Sequence, residues 1–133
     1  MIDPQRVPAV EPNELLARFV FHGSHIRKSN QTVKPDAFIP FPWPNLSVTR
    51  HQMATAGELW SVGTNVAAAS GKTLHGRCDL VASDCLGRGL DVFADPVAGN
   101  PNHANISRWP TDKPAQKVIA LELAALASFV PRH

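Results

Sequence analysis

The sequence lacks any apolar run near the roughly 18 residues that a membrane-spanning helix needs. Its first residues, MIDPQRVPAVEPNE, also lack the basic segment followed by an apolar segment that marks a secretory signal. Neither membrane insertion nor export is therefore indicated. We expect a cytoplasmic protein that makes no membrane contact.

A strong net charge is also missing. Thirteen Lys and Arg residues nearly balance eleven Asp and Glu residues, and the formal net charge is +2. Such a balance does not by itself predict nucleic-acid binding. The segment from Arg18 to His51 differs, because it carries five Lys or Arg and three His residues against a single acid, Asp36. This segment could form a phosphate-binding face or an ordinary solvated face.

Cysteine is scarce, and recognisable catalytic motifs are absent. Cys78 and Cys85 match neither the spacing of a redox CxxC pair nor that of a zinc site, so we expect reduced side chains that pack as small apolar groups. His22 and His25 would need a third ligand from elsewhere in the chain to hold zinc. We expect no bound metal and no cofactor.

The length of 133 residues suits one domain with a self-sufficient core. Pro4, Pro8 and Pro12 rule out a regular helix or a central strand at the start, so residues 1–13 are predicted to form an extended arm. Residues 14–133 are predicted to form a single α+β domain, in which helices pack on a mostly antiparallel sheet.

Strands are predicted where β-forming residues alternate or cluster, at 17–22, 46–50, 73–82 and 90–94. The first of these should place Phe19 and Phe21 on the same side of the sheet. The polar, turn-rich segment 22–36 is predicted to be an exposed loop.

Two helices are predicted. Thr55 and Glu58 have the spacing of a capping box and Gly71 supplies a stop, which predicts a helix over Ala56–Ser70 with Trp60 in the core. A second helix should begin at the cap Thr111 and run from Asp112 to about residue 129. Its wide apolar stripe needs the sheet and the first helix, or a second copy of the chain, to cover it. That stripe comprises Val118, Ile119, Leu121, Leu123, Leu126, Phe129 and Val130.

The segment 100–113, NPNHANISRWPTDK, is the strongest candidate for a functional site. Prolines stiffen it at both ends, and it concentrates an imidazole, amides, a guanidinium and an indole. We predict that His103 and Arg108 are catalytic and that they share a polar pocket with binding residues. The predicted binding residues are Asn102, Asn105 and Trp109, with Arg18, Ser24 and Arg50 from the basic segment and Trp43 as a further indole. Alternatively, NPNHAN is an Asx-turn loop that leads into a strand.

Two functions fit these residues. The first is a small bacterial effector or enzyme that acts on RNA or a nucleotide, with His103 moving protons and Arg18, Arg50 or Arg108 stabilising phosphate charge. A variant is an NAD-using transferase in which Arg18 and Ser24 hold the nicotinamide or its phosphates. The second is a non-catalytic binding or assembly module, which contacts a second copy or a cognate partner from a two-gene bacterial system.

Four segments carry a resemblance that covers most of the chain after Arg18. NPNHANISRWPTDKPAQKVIALELA, together with KPDAFIPFP, LSVTR and HGRCDL, resembles short, standalone bacterial proteins of unassigned function. The resemblance implies a bacterial domain that stands alone. It transfers no catalytic residue to this chain.

Overall fold

The structure, a computed structural model, describes residues 6–40, 44–52 and 54–132. Its α-helices are α1 (Ala56–Ser70), α2 (Ala82–Leu86) and α3 (Lys113–Leu126). Its strands are β1 (Leu15–Val20), β2 (Ile26–Arg27), β3 (Thr32–Val33), β4 (Leu46–Arg50), β5 (Gly76–Val81), β6 (Asp91–Ala94), β7 (His103–Ser107) and β8 (Ser128–Pro131). The predicted α+β class is confirmed. In the described part of the chain, no helix is both long and apolar enough to cross a membrane.

Six strands form the main sheet in the order β6-β7-β4-β1-β5-β8, and all of their pairings are antiparallel. Because side chains alternate along a strand, the sheet has two distinct faces. On one face, Leu16, Val48 and Ile106 pack with Leu123 of α3 and Cys85 of α2 in the larger core. The opposite face is covered in part by α1, and it is the face that matters for the site.

Helix α1 has the predicted bounds and the predicted ends. Thr55 and Glu58 form a complete capping box, and Gly71 ends the helix in the left-handed conformation at φ +66°. Gly63 lies where the helix crosses the sheet, and a Cβ atom there would be 2.8 Å from the ring of Phe19. The missing side chain therefore allows α1 to approach β1 closely.

The last helix is shorter than predicted and is capped differently. Its N-cap is Asp112, whose carboxylate accepts a hydrogen bond from the Ala115 amide at 3.1 Å, and not Thr111. The helix ends at Leu126, and the chain then forms β8, which pairs with β5. Phe129 and Val130 therefore lie on a strand. Gly76 of β5 makes room for them, since a Cβ atom there would be within about 2.7 Å of both residues.

The predicted apolar stripe of this helix is only partly buried. Leu123 is fully buried, whereas Val118, Leu121 and Leu126 are about half exposed. The buried stripe is rotated around the helix relative to the predicted stripe, and it includes Gln116. The side-chain amide of Gln116 donates a hydrogen bond to the carbonyl oxygen of Pro110 at 2.7 Å. Because this hydrogen bond satisfies the side-chain amide, the polar residue Gln116 can be buried in the core.

Other segments depart from the sequence prediction in detail. The predicted exposed loop 22–36 contains the β2–β3 hairpin, one short 3-10 helix and the start of a second, and Val33 within it is buried. The segment after β5 begins with helix α2, which buries Cys85. Residues 6–13 of the predicted arm lie outside the strands, and Val10 packs against the core. Residues 1–5 of that arm lie outside the described residues.

Candidate functional site

A cavity of about 440 Å³ lies between α1, the sheet and the turn that precedes β7. Phe19 and Phe21 line it from the β1 side, on the same side of the sheet as predicted. Val62 and Val66 line it from α1, and Val97 lines it from the turn. Its walls are therefore largely apolar, and Val66 and Val97 are 46% and 40% exposed, so apolar surface is accessible beside the cavity.

The polar side of the cavity comes from neighbouring strands. Thr49 of β4 pairs with His103 of β7, and strand alternation places both on the face that α1 covers in part. Asn100 is buried and donates to the Thr49 hydroxyl at 3.0 Å, while its side-chain oxygen accepts from the Asn102 amide at 3.1 Å. The Asx-turn interpretation of NPNHAN therefore describes this turn correctly, and the turn leads into β7.

The ring of His103 is held in one orientation. Its Nδ1 lies 2.8 Å from the carbonyl oxygen of Asp95 and 3.5 Å from the Asp95 carboxylate. A carbonyl oxygen can only accept a hydrogen bond, so Nδ1 carries a proton and, in the neutral ring, Nε2 is the acceptor. The Asp95 carboxylate is itself fixed by the side-chain amide of Asn105 at 2.8 Å. His103 lines the cavity and its side chain is 17% exposed, so the site offers an imidazole ring held in one orientation.

A second cavity of about 230 Å³ lies beside the first. The two cavities share lining residues from β4, the helix and the turn, namely Thr49, Val62, Asn65, Gly99 and Asn100. The second cavity extends toward the N-terminus of α1 and is more polar, since Glu58, Ser61 and Asn102 also line it. The site therefore has an apolar part and an adjoining polar part.

Arg18 lies on β1 and lines the first cavity, but its guanidinium is already bonded. Nε donates to the Ala37 carbonyl at 2.9 Å, and Nη1 donates to the Ser47 carbonyl at 3.0 Å. Burial lowers the pKa of Arg18 to about 10, which leaves it protonated near neutral pH. Arg18 joins β1, β4 and the 3-10 helix Pro35–Phe38, which is a structural role.

The structure does not bring Arg50 to the cavity, in contrast to the sequence prediction. Its side chain is 3% exposed, and it donates from Nε and Nη2 to the two carboxylate oxygens of Glu14, each at 2.8 Å. Nη1 donates to the Pro8 carbonyl at 2.7 Å. Burial acts to raise the pKa of Glu14, but the hydrogen bonds from Arg50 and from the Glu11 amide outweigh it and lower that pKa. A guanidinium bonded in this way is not free to bind phosphate.

Arg108 and Trp109 also lie apart from His103. Arg108 follows the end of β7, is exposed and has φ +66°. Trp109 is 3% exposed and packs in the larger core on the opposite face of the sheet, where its indole N–H donates to the Ile106 carbonyl at 3.0 Å. Arg108 and Trp109 therefore do not line the cavity that His103 lines, in contrast to the sequence prediction that these residues share a pocket. The left-handed residue at 108 redirects the chain, which separates these side chains from the cavity.

Other predicted candidates are placed elsewhere. Ser24 is exposed in the 3-10 helix Gly23–His25, and Trp43 lies outside the described residues. The rings of His22 and His25 are 4.9 Å apart between centroids, but across residues 6–40, 44–52 and 54–132 no three His, Cys, Asp or Glu residues are grouped to hold a metal ion. Burial, followed by the charges of His22, Arg18 and Lys34, lowers the pKa of His25, so part of the basic segment lies around this ring, whereas Arg50 is paired with Glu14.

The two cysteines are buried small side chains, as expected from their spacing. Burial raises the pKa of Cys78 and of Cys85 to about 12. A thiol with such a pKa is almost entirely protonated near neutral pH and is a poor nucleophile. Neither side chain lines the cavities described above.

A separate polar cluster lies on the α1 face of the sheet. Asp79 accepts hydrogen bonds from His51 at 2.8 Å and from Arg77 at 3.0 Å. Burial acts to raise the pKa of Asp79, but these two partners outweigh it and lower that pKa. Arg77 and Arg132 both stack on Trp60, which is therefore partly buried under guanidinium groups and not enclosed in the apolar core. This cluster connects Trp60 of α1 and Arg132, near the C-terminus, to the sheet.

Comparison of the chain with protein-family models, curated proteins and solved structures finds no match. The site therefore has to be interpreted from its own residues. Sequence analysis identified His103, Asn102 and the turn, but it missed Asp95 and the contribution of α1. Val62 and Val66 recur at helical spacing, which is a signal for an apolar stripe on α1, but nothing in the sequence indicates that this stripe leaves a cavity.

Proposed function

We propose that this protein is a binding module for a small, largely apolar ligand, which occupies the cavity between α1 and the sheet. Ligand sites are typically concave, with volumes of roughly 300–1,000 Å³, mainly apolar walls and a few convergent polar groups. The cavity of about 440 Å³ has this composition. Its apolar walls meet the ring of His103, which the Asp95 carbonyl holds in one orientation, and this combination is the observation that carries the proposal.

The phosphate-substrate hypothesis has less support from the same geometry. A phosphodiester reaction without a metal needs a cation near the developing charge as well as a proton shuttle. Arg50 is bonded to Glu14, Arg108 is exposed beyond β7, and Arg18 donates to two carbonyl groups. The distribution of these cations favours binding of a ligand without phosphate groups.

One observation keeps acid–base catalysis as a second candidate. A general base needs a fixed orientation, and the Asp95 carbonyl and carboxylate hold the His103 ring through Nδ1. The other ring nitrogen, Nε2, would then be the one that accepts a proton. His103→Gln keeps hydrogen-bonding capacity but cannot move protons in the same way. Turnover of RNA or nucleotide substrates by the unmodified protein, with loss in this variant at an unchanged melting temperature, would favour catalysis. Absence of turnover would leave the binding module as the function.

The binding proposal is tested with N-phenyl-1-naphthylamine, a neutral apolar dye whose fluorescence rises in apolar surroundings. The dye should bind the unmodified protein in a saturable manner. Val62→Trp places a large side chain in the cavity and should weaken dye binding at least about tenfold. Thr64→Trp is the matched control, because Thr64 is exposed on the same helix and does not line either cavity. Equal dye affinities in the two variants would refute the cavity as the binding site.

A further inference from the structure

We propose that the ligand is a neutral amphiphile: its apolar chain occupies the first cavity, and its amide or hydroxyl end reaches the second cavity. This inference rests on the binding function proposed above and specifies the chemical class of the ligand. The first observation is that the two cavities adjoin each other. Asn65 from α1 and Asn100 from the turn line both cavities, so one elongated molecule can contact the apolar walls and the polar end together.

The second observation concerns hydrogen bonds that remain to be made. The side chains of Ser61, Asn65 and Asn102 line the second cavity, and among the described residues no protein group is hydrogen-bonded to them; Ser61 and Asn65 are exposed, so a ligand group would replace water there. The amide of Asn100 differs, because it is already bonded to Thr49 and to the Asn102 backbone. A hydroxyl and two carboxamides offer both donors and acceptors. An amide or hydroxyl group on the ligand also has a donor and an acceptor, so it can form hydrogen bonds with these side chains.

The third observation concerns charge. Among the described residues that line the two cavities, the formally charged side chains are Arg18 and Glu58, and the remaining titratable side chain, His103, already faces the Asp95 carboxylate at 3.5 Å. Arg18 donates to two carbonyl groups. Glu58 belongs to the capping box of α1, where it accepts from the Thr55 amide at 3.1 Å and complements the positive end of the helix dipole. Both charges already have local partners, so an ionised ligand would lose hydration without gaining a free counter-charge.

The test compares three ligands that share an eight-carbon chain and differ in the charge of the head group. Octanamide, octanoate and octylamine are used at pH 7 to displace N-phenyl-1-naphthylamine, and octanamide is also titrated directly by calorimetry. Octanamide should bind at least about tenfold more tightly than either charged compound, which corresponds to about 1.4 kcal/mol. The double variant Ser61→Ala, Asn102→Ala should lose this preference and keep its affinity for the dye. Thr64→Ala, on the exposed side of the same helix, should change neither.

The outcomes separate the two proposals. If the dye binds and Val62→Trp weakens it, but the three compounds compete equally or a charged compound competes best, the binding function stands and the neutral-amphiphile inference is overturned. An octanamide preference that survives in the double variant overturns the role of the second cavity. If neither the dye nor octanamide binds at millimolar concentration, both proposals fail.

Discussion

Arg50 is the residue whose replacement should destabilise this fold most clearly. It is 3% exposed and makes a two-point contact with the Glu14 carboxylate, with both nitrogen–oxygen distances at 2.8 Å. It also donates to the backbone carbonyls of Pro8 and Ala9, at 2.7 and 3.3 Å, and to the side chain of Gln52. Arg50→Met keeps much of the side-chain volume but leaves the Glu14 carboxylate nearly buried without its cation.

Removing one partner of a buried ion pair costs about 3–5 kcal/mol, which is a large share of the roughly 5–15 kcal/mol stability of a small domain. Glu14→Gln should cost less, because glutamine keeps one acceptor oxygen and Arg50 keeps its other acceptors. The double variant should cost less than the two single changes added together, with a coupling of about 1–3 kcal/mol. Urea unfolding at pH 7, followed by tryptophan fluorescence, measures all four proteins. A loss below about 1 kcal/mol in Arg50→Met would refute the reasoning and return Arg50 to the candidates for ligand binding.

Three further predictions follow from burial and from the pKa shifts. Leu123→Ala should lower the free energy of unfolding by about 2–5 kcal/mol, whereas Val118→Ala, on the 58% exposed side chain of the same helix, should change it by less than about 0.5 kcal/mol. Similar losses for both in urea would mean that the assignment of the buried stripe is wrong. The folded-state pKa of Asp79 is lowered, so its ion pairs stabilise the fold above the unfolded pKa of about 4 and lose this effect as the pH falls through the folded pKa. Asp79→Asn should therefore reduce stability at pH 7 and flatten its decline in acid, and an unchanged acid profile in thermal melts would contradict this. Cys78 and Cys85, with pKa values of about 12, should react with a disulfide reagent at pH 8 only after unfolding, and rapid labelling of the native protein would show that they are accessible.

Local signals in the sequence predicted local structure well. The bounds of α1 followed from the capping box at Thr55 and from Gly71, because both act within one helical turn. Strand β4 followed from a short β-forming run between turn residues, and the α+β class followed from the order of the elements. These features depend on neighbours in the chain, which a single sequence displays directly.

Long-range contacts account for the errors. The segment 128–131 has strong helix formers before it, yet it forms a strand beside β5, where the missing side chain of Gly76, more than 50 positions earlier, leaves space for it. In the sequence alone, Arg50 cannot be distinguished from an exposed arginine, because its partner Glu14 becomes its neighbour only in the folded chain. Trp109 lies six residues after His103 but enters the core on the other face of the sheet. The site was therefore predictable as a turn with a histidine, and its cavity was not.

Gly63 has a consequence for how the binding site could be changed. The residue at this position sets the distance between α1 and β1, because a single methyl group there would meet the Phe19 ring at 2.8 Å and the Leu74 side chain at 3.0 Å. Position 63 therefore works as a spacer for the whole site, although it is not among the residues that line either cavity. Replacing a lining residue alters one wall, whereas adding one carbon atom at position 63 would shift the helix that carries Val62, Asn65 and Val66 together. Under the binding function proposed above, selection for new ligand sizes would act there without altering any side chain that lines either cavity.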